Sequence, residues 1–283
     1  MACSEADFIR WATDGGRGTW VVGPGDDAAL LEDGLVVALD TVVEGTHFDP
    51  GTDPALVTRK ALGACLSDLC AMGAVASSVF VSAQIPVGAP AEALARGLAE
   101  AARAYGVELA GGDTVTCPPG ALAFAVTAIG RCTGPPWLRS GGRPGDQLVV
   151  TGPLGGSRLG RHLTVEPRAD VVAWFRQREA PVHACMDLSD GLAADLPRLC
   201  AASGVGARVE ADLLPIHPDA AGRGPQAALG DGEDFELLLA VPPGSQLPEG
   251  SVIIGELRPQ GELLLAQDGQ DQPWPDDGHV HAF

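Results

Sequence analysis

The 283-residue chain is predicted to fold as two α+β domains. Stretches typical of strands and of helices alternate along both halves, and their order mixes hairpin-like with crossover connections, which favours α+β over a doubly wound sheet. A stretch rich in Pro and Gly, TGPPWLRSGGRPGD at 133–146, lies between the halves and is typical of a linker. The hydrophobic fraction of 46% is ample for packed cores. We therefore expect one domain over residues 1–135 and a second over 136–283.

The first half is expected to combine five strands with two helices. Asp53 and Pro54 form a favourable N-cap and first-turn pair, so a helix is predicted to begin there, and Gly73 is expected to end it after Met72. The strands are predicted at 19–22, 35–40, 77–85, 107–110 and 121–131, and the helices at 53–72 and 91–105.

The second half repeats the mixed pattern after the linker. Six further strands and three helices are expected there, and no short repeat or low-complexity tract interrupts them. The strands are predicted at 147–151, 183–186, 206–210, 235–241, 251–254 and 262–266, and the helices at 154–162, 170–178 and 191–202.

The net charge of the chain limits the classes of partner that it is expected to bind. A net charge of −19, from 37 acidic and 18 basic residues, disfavours binding to nucleic acid or to anionic lipid. No run of 18 apolar residues suggests a membrane span, and the acidic N-terminal stretch does not resemble a signal peptide, so a cytoplasmic protein is expected. Seven cysteines without a C-x-x-C pair indicate neither a disulfide framework nor a zinc site.

Aspartates stand at several predicted turns beside glycines or strand ends. Turn preference explains any one of them, but several such loops next to apolar strands suggest carboxylates that converge at a sheet edge. Two like charges about 4 Å apart repel by about 1 kcal/mol in water and about 4 kcal/mol at an effective dielectric near 20. With one lysine in the chain, Mg²⁺ is the partner that these oxygen ligands favour. The aspartates are Asp26, Asp27, Asp40, Asp113, Asp187 and Asp190.

Asp68 strengthens the prediction of a metal site. In the predicted helix its neighbours three and four residues away are Ala64, Cys65, Ala71 and Met72. A carboxylate on such an apolar face is unfavourable unless it is paired or metal-bound, and a solvated acid at the helix end is the alternative.

Two nucleotide motifs are excluded. Gly23–Ala28 fits G-x-G-x-x-A after a strand, but a turn and a strand follow where a dinucleotide site requires a helix. The P-loop pattern is absent, because Lys60 follows Arg59 and no glycine. Any use of ATP must therefore proceed without a Walker motif.

Read in order, the motifs of the chain resemble those of the thiamine-monophosphate kinase family, which shares a superfamily with aminoimidazole ribonucleotide synthetase and selenophosphate synthetase. One such segment would be weak, but the ordered set is specific and extends to about residue 237. The segments are GDDAALL (25–31), LDTVVEGTHF (39–48), KALGACLSDLCAMGA (60–74), GGDT (111–114), LRSGGRPGD (138–146), HLTVEPR (162–168), MDLSDGL (186–192) and GEDFEL (232–237).

The resemblance implies a function and a set of site residues. It implies transfer of the γ-phosphoryl group of ATP to thiamine monophosphate, in two domains of the aminoimidazole ribonucleotide synthetase type, with the N-terminal domains paired in a homodimer near ATP. Several magnesium ions would be held by Asp27, Asp40, Asp68, Asp113, Asp187 and Asp190; ATP would contact Gly112, Asp113, Arg139 and Ser189; and thiamine monophosphate would contact His47, Glu233 and Phe283.

The expected chemistry requires no general base. The acceptor is a phosphate monoester whose second pKa is about 6, so near neutrality it is already mostly a dianion. Positioning and charge neutralisation then dominate phosphoryl transfer. We expect direct in-line transfer assisted by Mg²⁺, with Arg139 adding donors to the ATP phosphates.

The chain departs from the family pattern at one point and leaves rival functions open. Ala38 and Leu39 stand where the family usually has two hydroxyl residues before the aspartate, so one metal ligand is either lost or replaced. One rival is another ATP-dependent superfamily member. Selenophosphate synthetase is disfavoured because it needs a Cys and a Lys near the N-terminus, where Cys3 lacks such a lysine. The other rival is a non-catalytic protein that binds nucleotide or a divalent metal.

Overall fold

The computed structural model describes residues 5–13 and 20–275, and a six-stranded sheet dominates the first half. No helix among these residues is long and apolar enough to cross a bilayer. In chain order the elements are α1 (Glu5–Thr13), β1 (Trp20–Val22), β2 (Ala29–Leu31), β3 (Leu35–Val43), α2 (Pro54–Ala71), β4 (Ala74–Pro86), α3 (Ala91–Ala104), β5 (Glu108–Cys117) and β6 (Ala123–Cys132).

The strands of this sheet follow the order β1-β2-β3-β6-β4-β5. β4 pairs antiparallel with β6 and parallel with β5, which forms one edge. α2 and α3 bury one face of the sheet, where Val36, Val79 and Phe124 lie in the core. The other face and the edge strand β5 remain largely exposed.

The second half forms a seven-stranded sheet in the order β13-β12-β9-β11-β7-β10-β8. All its pairings are antiparallel except that of β9 with β12. Alternate residues of its central strands face α5 on one side and α4 on the other, as the period of two requires. Its elements are β7 (Gln147–Val150), α4 (Ala169–Gln177), β8 (Ala184–Asp187), α5 (Leu192–Ser203), β9 (Gly206–Glu210), α6 (Pro225–Gly230), β10 (Leu237–Val241), β11 (Val252–Arg258), β12 (Leu263–Gln267) and β13 (Gln270–Pro273).

Helix α2 lies between the two halves of the chain, and this position accounts for the small and apolar residues along most of its length. Asp53 caps it by accepting a hydrogen bond from the Ala55 N–H at 2.8 Å, and Pro54 occupies the first turn, as predicted. Most of its residues are buried, because one side packs on the first sheet and the other meets the second half. A Cβ added to Gly63 would lie 2.7 Å from Cβ of Val165, so this close approach requires glycine.

Several predicted elements differ from the structure in type or in length. The helix predicted at 154–162 is wrong: two short 3₁₀ turns, Ser157–Leu159 and Arg161–Leu163, occupy the stretch. Gly155, Gly156 and Gly160 adopt positive φ there, which an α-helix cannot accommodate. The strand predicted to end at Ala110 continues through Cys117, and the one predicted at 35–40 continues to Val43, so Asp113 and Asp40 lie within strands and not in loops.

Several elements of the structure were not predicted from the sequence. They are short or carry no clear periodicity: α1 and α6 have nine and six residues, and the strands β2 and β13 have three and four. Hydrophobic periodicity needs a longer window to identify such elements.

Candidate active site

Three aspartates from distant parts of the chain meet beside the C-terminal end of α2. Asp27 lies in the bend before β2, Asp68 in the last turn of α2, and Asp187 at the end of β8. One carboxylate oxygen from each lies within 4.8 Å of the others. We refer to these three residues as the aspartate cluster.

The surroundings of the aspartate cluster make its negative charge unfavourable. Burial raises the pKa of Asp27 to about 6. Burial and then the neighbouring carboxylates raise the pKa values of Asp68 and Asp187 well above their usual range. The position of Asp68 adds to this, because the C-terminal end of a helix carries the negative pole of its dipole. Such a cluster must either bind protons or bind a cation.

Polar partners hold two of the three carboxylates in place. Asp187 Oδ2 accepts a hydrogen bond from Ser67 Oγ at 2.7 Å, which joins β8 to α2. Asp27 Oδ1 accepts hydrogen bonds from Arg139 Nη2 at 2.6 Å and from Arg139 Nε at 3.2 Å. Asp27 Oδ2 is buried and has no hydrogen-bond partner within the described ranges, so it is free to bind a cation.

Asp26 supports the loop that carries Asp27. Its Oδ1 accepts the Asp27 N–H at 3.0 Å, and both its oxygens accept the Arg139 N–H at 3.2–3.3 Å. Asp26 therefore ties the Asp27 loop to the stretch that connects the two halves.

A second charged group lies toward the N-terminal end of α2. Lys60 Nζ donates a hydrogen bond to Glu233 Oε1 at 2.6 Å, and the Lys60 side chain is only 1% exposed. Burial lowers the pKa of Lys60, while the carboxylate of Glu233 opposes this shift. Lys60 was not predicted as a site residue, because no spacing rule links two residues 173 positions apart.

His47 and Asp40 border this ion pair. The Val43 N–H donates to His47 Nδ1 at 3.0 Å, which places the imidazole proton on Nε2, and burial lowers the pKa of His47. Asp40 Oδ1 accepts the Thr41 N–H at 2.6 Å, and burial raises the pKa of Asp40. The charge of Asp40 influences the pKa values of both Asp68 and Lys60, so Asp40 is close enough to act electrostatically on both the aspartate cluster and the ion pair.

The segment that carries Glu233 has an unusual backbone. Gly232, Glu233 and Phe235 have φ angles of 68°, 54° and 53°, and such left-handed backbone is uncommon for residues other than glycine. The Glu233 N–H donates to Ser189 O at 2.7 Å, and the Phe235 N–H donates to Leu188 O at 2.8 Å. The segment is therefore fixed against the MDLSDGL loop, which links Ser189 directly to Glu233.

A cavity of about 420 Å³ opens beside this segment. Glu233 and Asp234 line it together with Arg161 and Arg168. Asp234 is buried and accepts hydrogen bonds from Ser157 Oγ and Arg161 Nη2 at 2.6 Å and 2.8 Å, so it anchors this wall. The cavity brings Glu233 within reach of a ligand of small-molecule size.

The remaining predicted residues lie apart from the aspartate cluster. Asp190 forms an ion pair with Arg198 at 2.6 Å. Gly112 and Asp113 are exposed on the edge strand β5. Gly112 shares a register row with Asp40 through β6 and β4, three strand spacings or about 14 Å away. Phe283 lies outside the described residues.

Three further polar residues at the site, Ser67, Asp195 and Arg198, were not predicted. Asp195 is fully buried, burial raises its pKa to about 7, and it accepts hydrogen bonds from Arg198 Nη1 at 2.8 Å and from the Asp190 N–H at 3.1 Å. Ser67 contacts Asp187 as described above. An available signal was the i to i+3 spacing of Asp195 and Arg198 on one helix, which favours an ion pair.

Comparisons with known proteins agree with this architecture. The family model described as AIR synthase related protein, N-terminal domain, matches residues 25–132, and the model described as AIR synthase related protein, C-terminal domain, matches residues 151–249. These matches confirm the predicted fold class of two α+β domains.

Curated relatives and a solved structure match most of the chain. The thiamine-monophosphate kinase of Rhodopirellula baltica is 41% identical over 78% of this chain and 76% of its own length. That of Salmonella typhimurium is 36% identical over 91% of this chain and 88% of its own. The solved structure titled AaThiL complexed with AMPPCP and TMP gives a TM-score of 0.86 at 27% identity, covering 98% of this chain and 97% of that one.

Proposed function

The chain belongs to the thiamine-monophosphate kinase family of AIR synthase related proteins, and from this premise we propose that it transfers the γ-phosphoryl group of ATP to thiamine monophosphate. The products are thiamine diphosphate and ADP. The observation that carries the proposal is the aspartate cluster, which the fold assembles from three distant segments. A relative that matches this fold along nearly its whole length was solved with AMPPCP and TMP.

Magnesium fits the residues of the aspartate cluster. The donor set consists of carboxylate oxygens, which Mg²⁺ prefers, and Asp27 Oδ2 is buried without a hydrogen-bond partner in the described part of the chain. Asp27, Asp68 and Asp187 would hold Mg²⁺, with Asp40, Asp113 and Asp190 as further proposed ligands. Bound Mg²⁺ supplies the positive charge that brings two anionic phosphates together.

The residues of the chain position the two substrates. Arg139 presents a fork of N–H donors to the ATP phosphates, alongside Gly112, Asp113 and Ser189. The Nε2–H of His47 and the carboxylate of Glu233 would contact thiamine monophosphate, as would Phe283, which lies outside the described residues. Because the acceptor phosphate is already mostly a dianion near pH 7, no side chain needs to remove a proton from it.

Ala38 and Leu39 offer no oxygen to a metal ion from their side chains. Ala38 is buried in the core of the first sheet, whereas Leu39 is 68% exposed on its other face. Either one metal ligand is therefore lost, or backbone oxygens and water take the place of the hydroxyls that the family usually has before Asp40.

We also propose that the chain forms a homodimer through its first sheet. β5 is an edge strand whose residues are exposed over almost its whole length, and unpaired edges of this kind favour pairing with another chain. Leu39, Val75 and Phe80 add apolar side chains that are 68%, 55% and 40% exposed on the neighbouring strands. Such a dimer would cover Gly112 and Asp113 and place ATP near the interface.

Two further assignments belong to this proposal. The domain boundary lies between residues 135 and 136, with ATP and metal bound mainly by the N-terminal domain. The protein acts in the cytoplasm, which agrees with the free thiols of the six cysteines that the structure describes.

The proposed reaction is tested by incubating the purified protein with ATP, Mg²⁺ and thiamine monophosphate and separating the products by chromatography. We expect thiamine diphosphate in an amount equal to the ADP formed, and none without Mg²⁺. Bound ATP without any diphosphate would overturn the proposal and favour another superfamily activity or a non-catalytic homologue.

A further inference from the structure

The only lysine of the chain occupies a position where a charge is difficult to retain. Lys60 is 1% exposed, and a buried ammonium group is unfavourable unless a partner compensates for its lost hydration. Its hydrogen-bonded partner is Glu233, which lies across the boundary between the two halves of the chain. Such a pair can hold the two halves together, and it can also contribute to substrate binding.

The free oxygen of Glu233 argues for a role beyond joining the halves. Lys60 engages Oε1, but Oε2 is buried and has no hydrogen-bond partner in the part of the chain that the structure describes. A buried acceptor without a donor is unfavourable, so a pair that served stability alone would satisfy both oxygens. The left-handed backbone at Glu233 and Phe235 points the same way, because backbone strain concentrates at functional sites.

Glu233 and Lys60 differ in whether a ligand in the cavity can reach them. Glu233 lines the cavity of about 420 Å³, whereas Lys60 lies behind it and does not line that cavity. A ligand in the cavity therefore reaches Glu233 and not Lys60. Any influence of Lys60 on the ligand must pass through the orientation and charge of Glu233.

We propose that Lys60 is a positioning residue that holds Glu233 Oε1, so that Glu233 Oε2 accepts a hydrogen bond from the substrate. This inference rests on the proposed function. Thiamine monophosphate as a dianion carries N–H donors only on the amino group of its pyrimidine ring. Lys60 and Glu233 together then select a substrate that carries this amino group. Lys60 contributes to substrate binding without touching the substrate.

The test compares the steady-state kinetics of Lys60→Met with those of the unaltered protein. Losing an oriented, charged acceptor should raise the KM for thiamine monophosphate about 10- to 100-fold. The kcat and the KM for ATP should change by less than about threefold, because the aspartate cluster lies about two helical turns away. Equal changes in both KM values and in kcat would indicate a general structural role and overturn the inference.

A double variant tests whether Lys60 acts through Glu233. Glu233→Gln should raise the KM for thiamine monophosphate about as much as Lys60→Met, and Lys60→Met/Glu233→Gln should be no worse than Glu233→Gln alone. Because the double variant leaves no unpaired buried charge, it remains informative if Lys60→Met fails to fold. A double variant about tenfold worse than Glu233→Gln would show that Lys60 acts independently and overturn the inference.

Two controls complete the experiment. Arg96→Gln removes an ion pair between two exposed side chains, Arg96 and Glu92 of α3, neither of which lines the cavity, so the KM for thiamine monophosphate should stay within about twofold. A substrate analogue with hydrogen in place of the pyrimidine amino group should bind the unaltered protein more weakly than thiamine monophosphate does. Lys60→Met should bind this analogue with the same affinity as the unaltered protein. If the unaltered protein forms no thiamine diphosphate, the proposed function fails; if it does and Lys60→Met matches it, only the role of Lys60 fails.

Discussion

The balance of charge differs between the two ends of α2, which are separated by about 12 Å, the length of eight helical residues. Near its C-terminal end, the aspartate cluster gathers three carboxylates. Within residues 5–13 and 20–275, only Asp27 of the three forms an ion pair, with Arg139. Toward its N-terminal end, Lys60 and Glu233 form a buried pair of matched charge. At the first end negative charge exceeds positive charge, with three carboxylates against one guanidinium, whereas at the second end the two charges are equal.

This difference indicates how the site divides its work. A deficit of positive charge is what a divalent cation can fill, so the aspartate cluster suits phosphate chemistry. A matched pair changes little when metal is added, but it fixes the direction of a hydrogen-bond acceptor. Predictions that perturb one end without the other therefore test the division.

The largest effect is expected at Asp68. Asp68→Asn removes one proposed metal ligand and should lower kcat about a thousandfold, since metal-assisted charge stabilisation contributes several kcal/mol. The fold should survive, because the substitution also removes repulsion between buried carboxylates. Kinetics and thermal melting measure both outcomes, with Asp268→Asn at an exposed turn as the control. Near-normal turnover in Asp68→Asn would refute its metal role.

The second effect concerns stability and pH. The pKa of Asp27 is raised to about 6, and burial also raises the pKa values of Asp68 and Asp187 well above their usual range, so the folded protein holds these protons more tightly than the unfolded chain does. The stability that they contribute is complete below about pH 4 and is lost as the pH rises through 6 and above. For Asp27 alone this loss corresponds to about 3 kcal/mol.

Thermal melting in the presence of a chelator measures this loss. The melting temperature should fall between pH 5 and pH 8, and Mg²⁺ should restore it most strongly at pH 8. Asp27→Asn should flatten the pH dependence, whereas Glu233→Gln should leave the response to Mg²⁺ intact. A chelated protein whose stability rises steadily over this range would contradict the role assigned to the aspartate cluster.

The same comparison shows which parts of the site the sequence could predict. Asp68 was recognisable because a carboxylate stood on an apolar helix face, and Asp187 because it follows a buried strand. Asp113 was placed in a loop because glycines precede it, yet parallel pairing with β4 continues the strand through it. The Lys60–Glu233 pair could not be predicted from the residues, because only the packing of the two halves brings it together.

The fold shows the same limit. Long segments with clear periodicity and caps, such as α2 and α3, were predicted to within a residue or two. The helix predicted at 154–162 failed because its glycines adopt positive φ to approach other segments: a Cβ on Gly155 would lie 2.7 Å from the Ala227 backbone. Such close approaches depend on tertiary contacts that the local sequence does not encode.

The smallest of these effects is expected at Arg139, which connects the aspartate cluster to ATP. Arg139→Ala removes the guanidinium that donates to Asp27 and, by our proposal, to the ATP phosphates. The KM for ATP should rise about tenfold, as expected for one lost charge-assisted contact, while the KM for thiamine monophosphate stays nearly constant. Arg143→Ala, an exposed arginine of the same connecting stretch, is the matched control for lost positive charge. If nucleotide affinity is the same in both variants, Arg139 serves only to hold Asp27; if the KM for thiamine monophosphate rises equally, the two ends of α2 do not work separately.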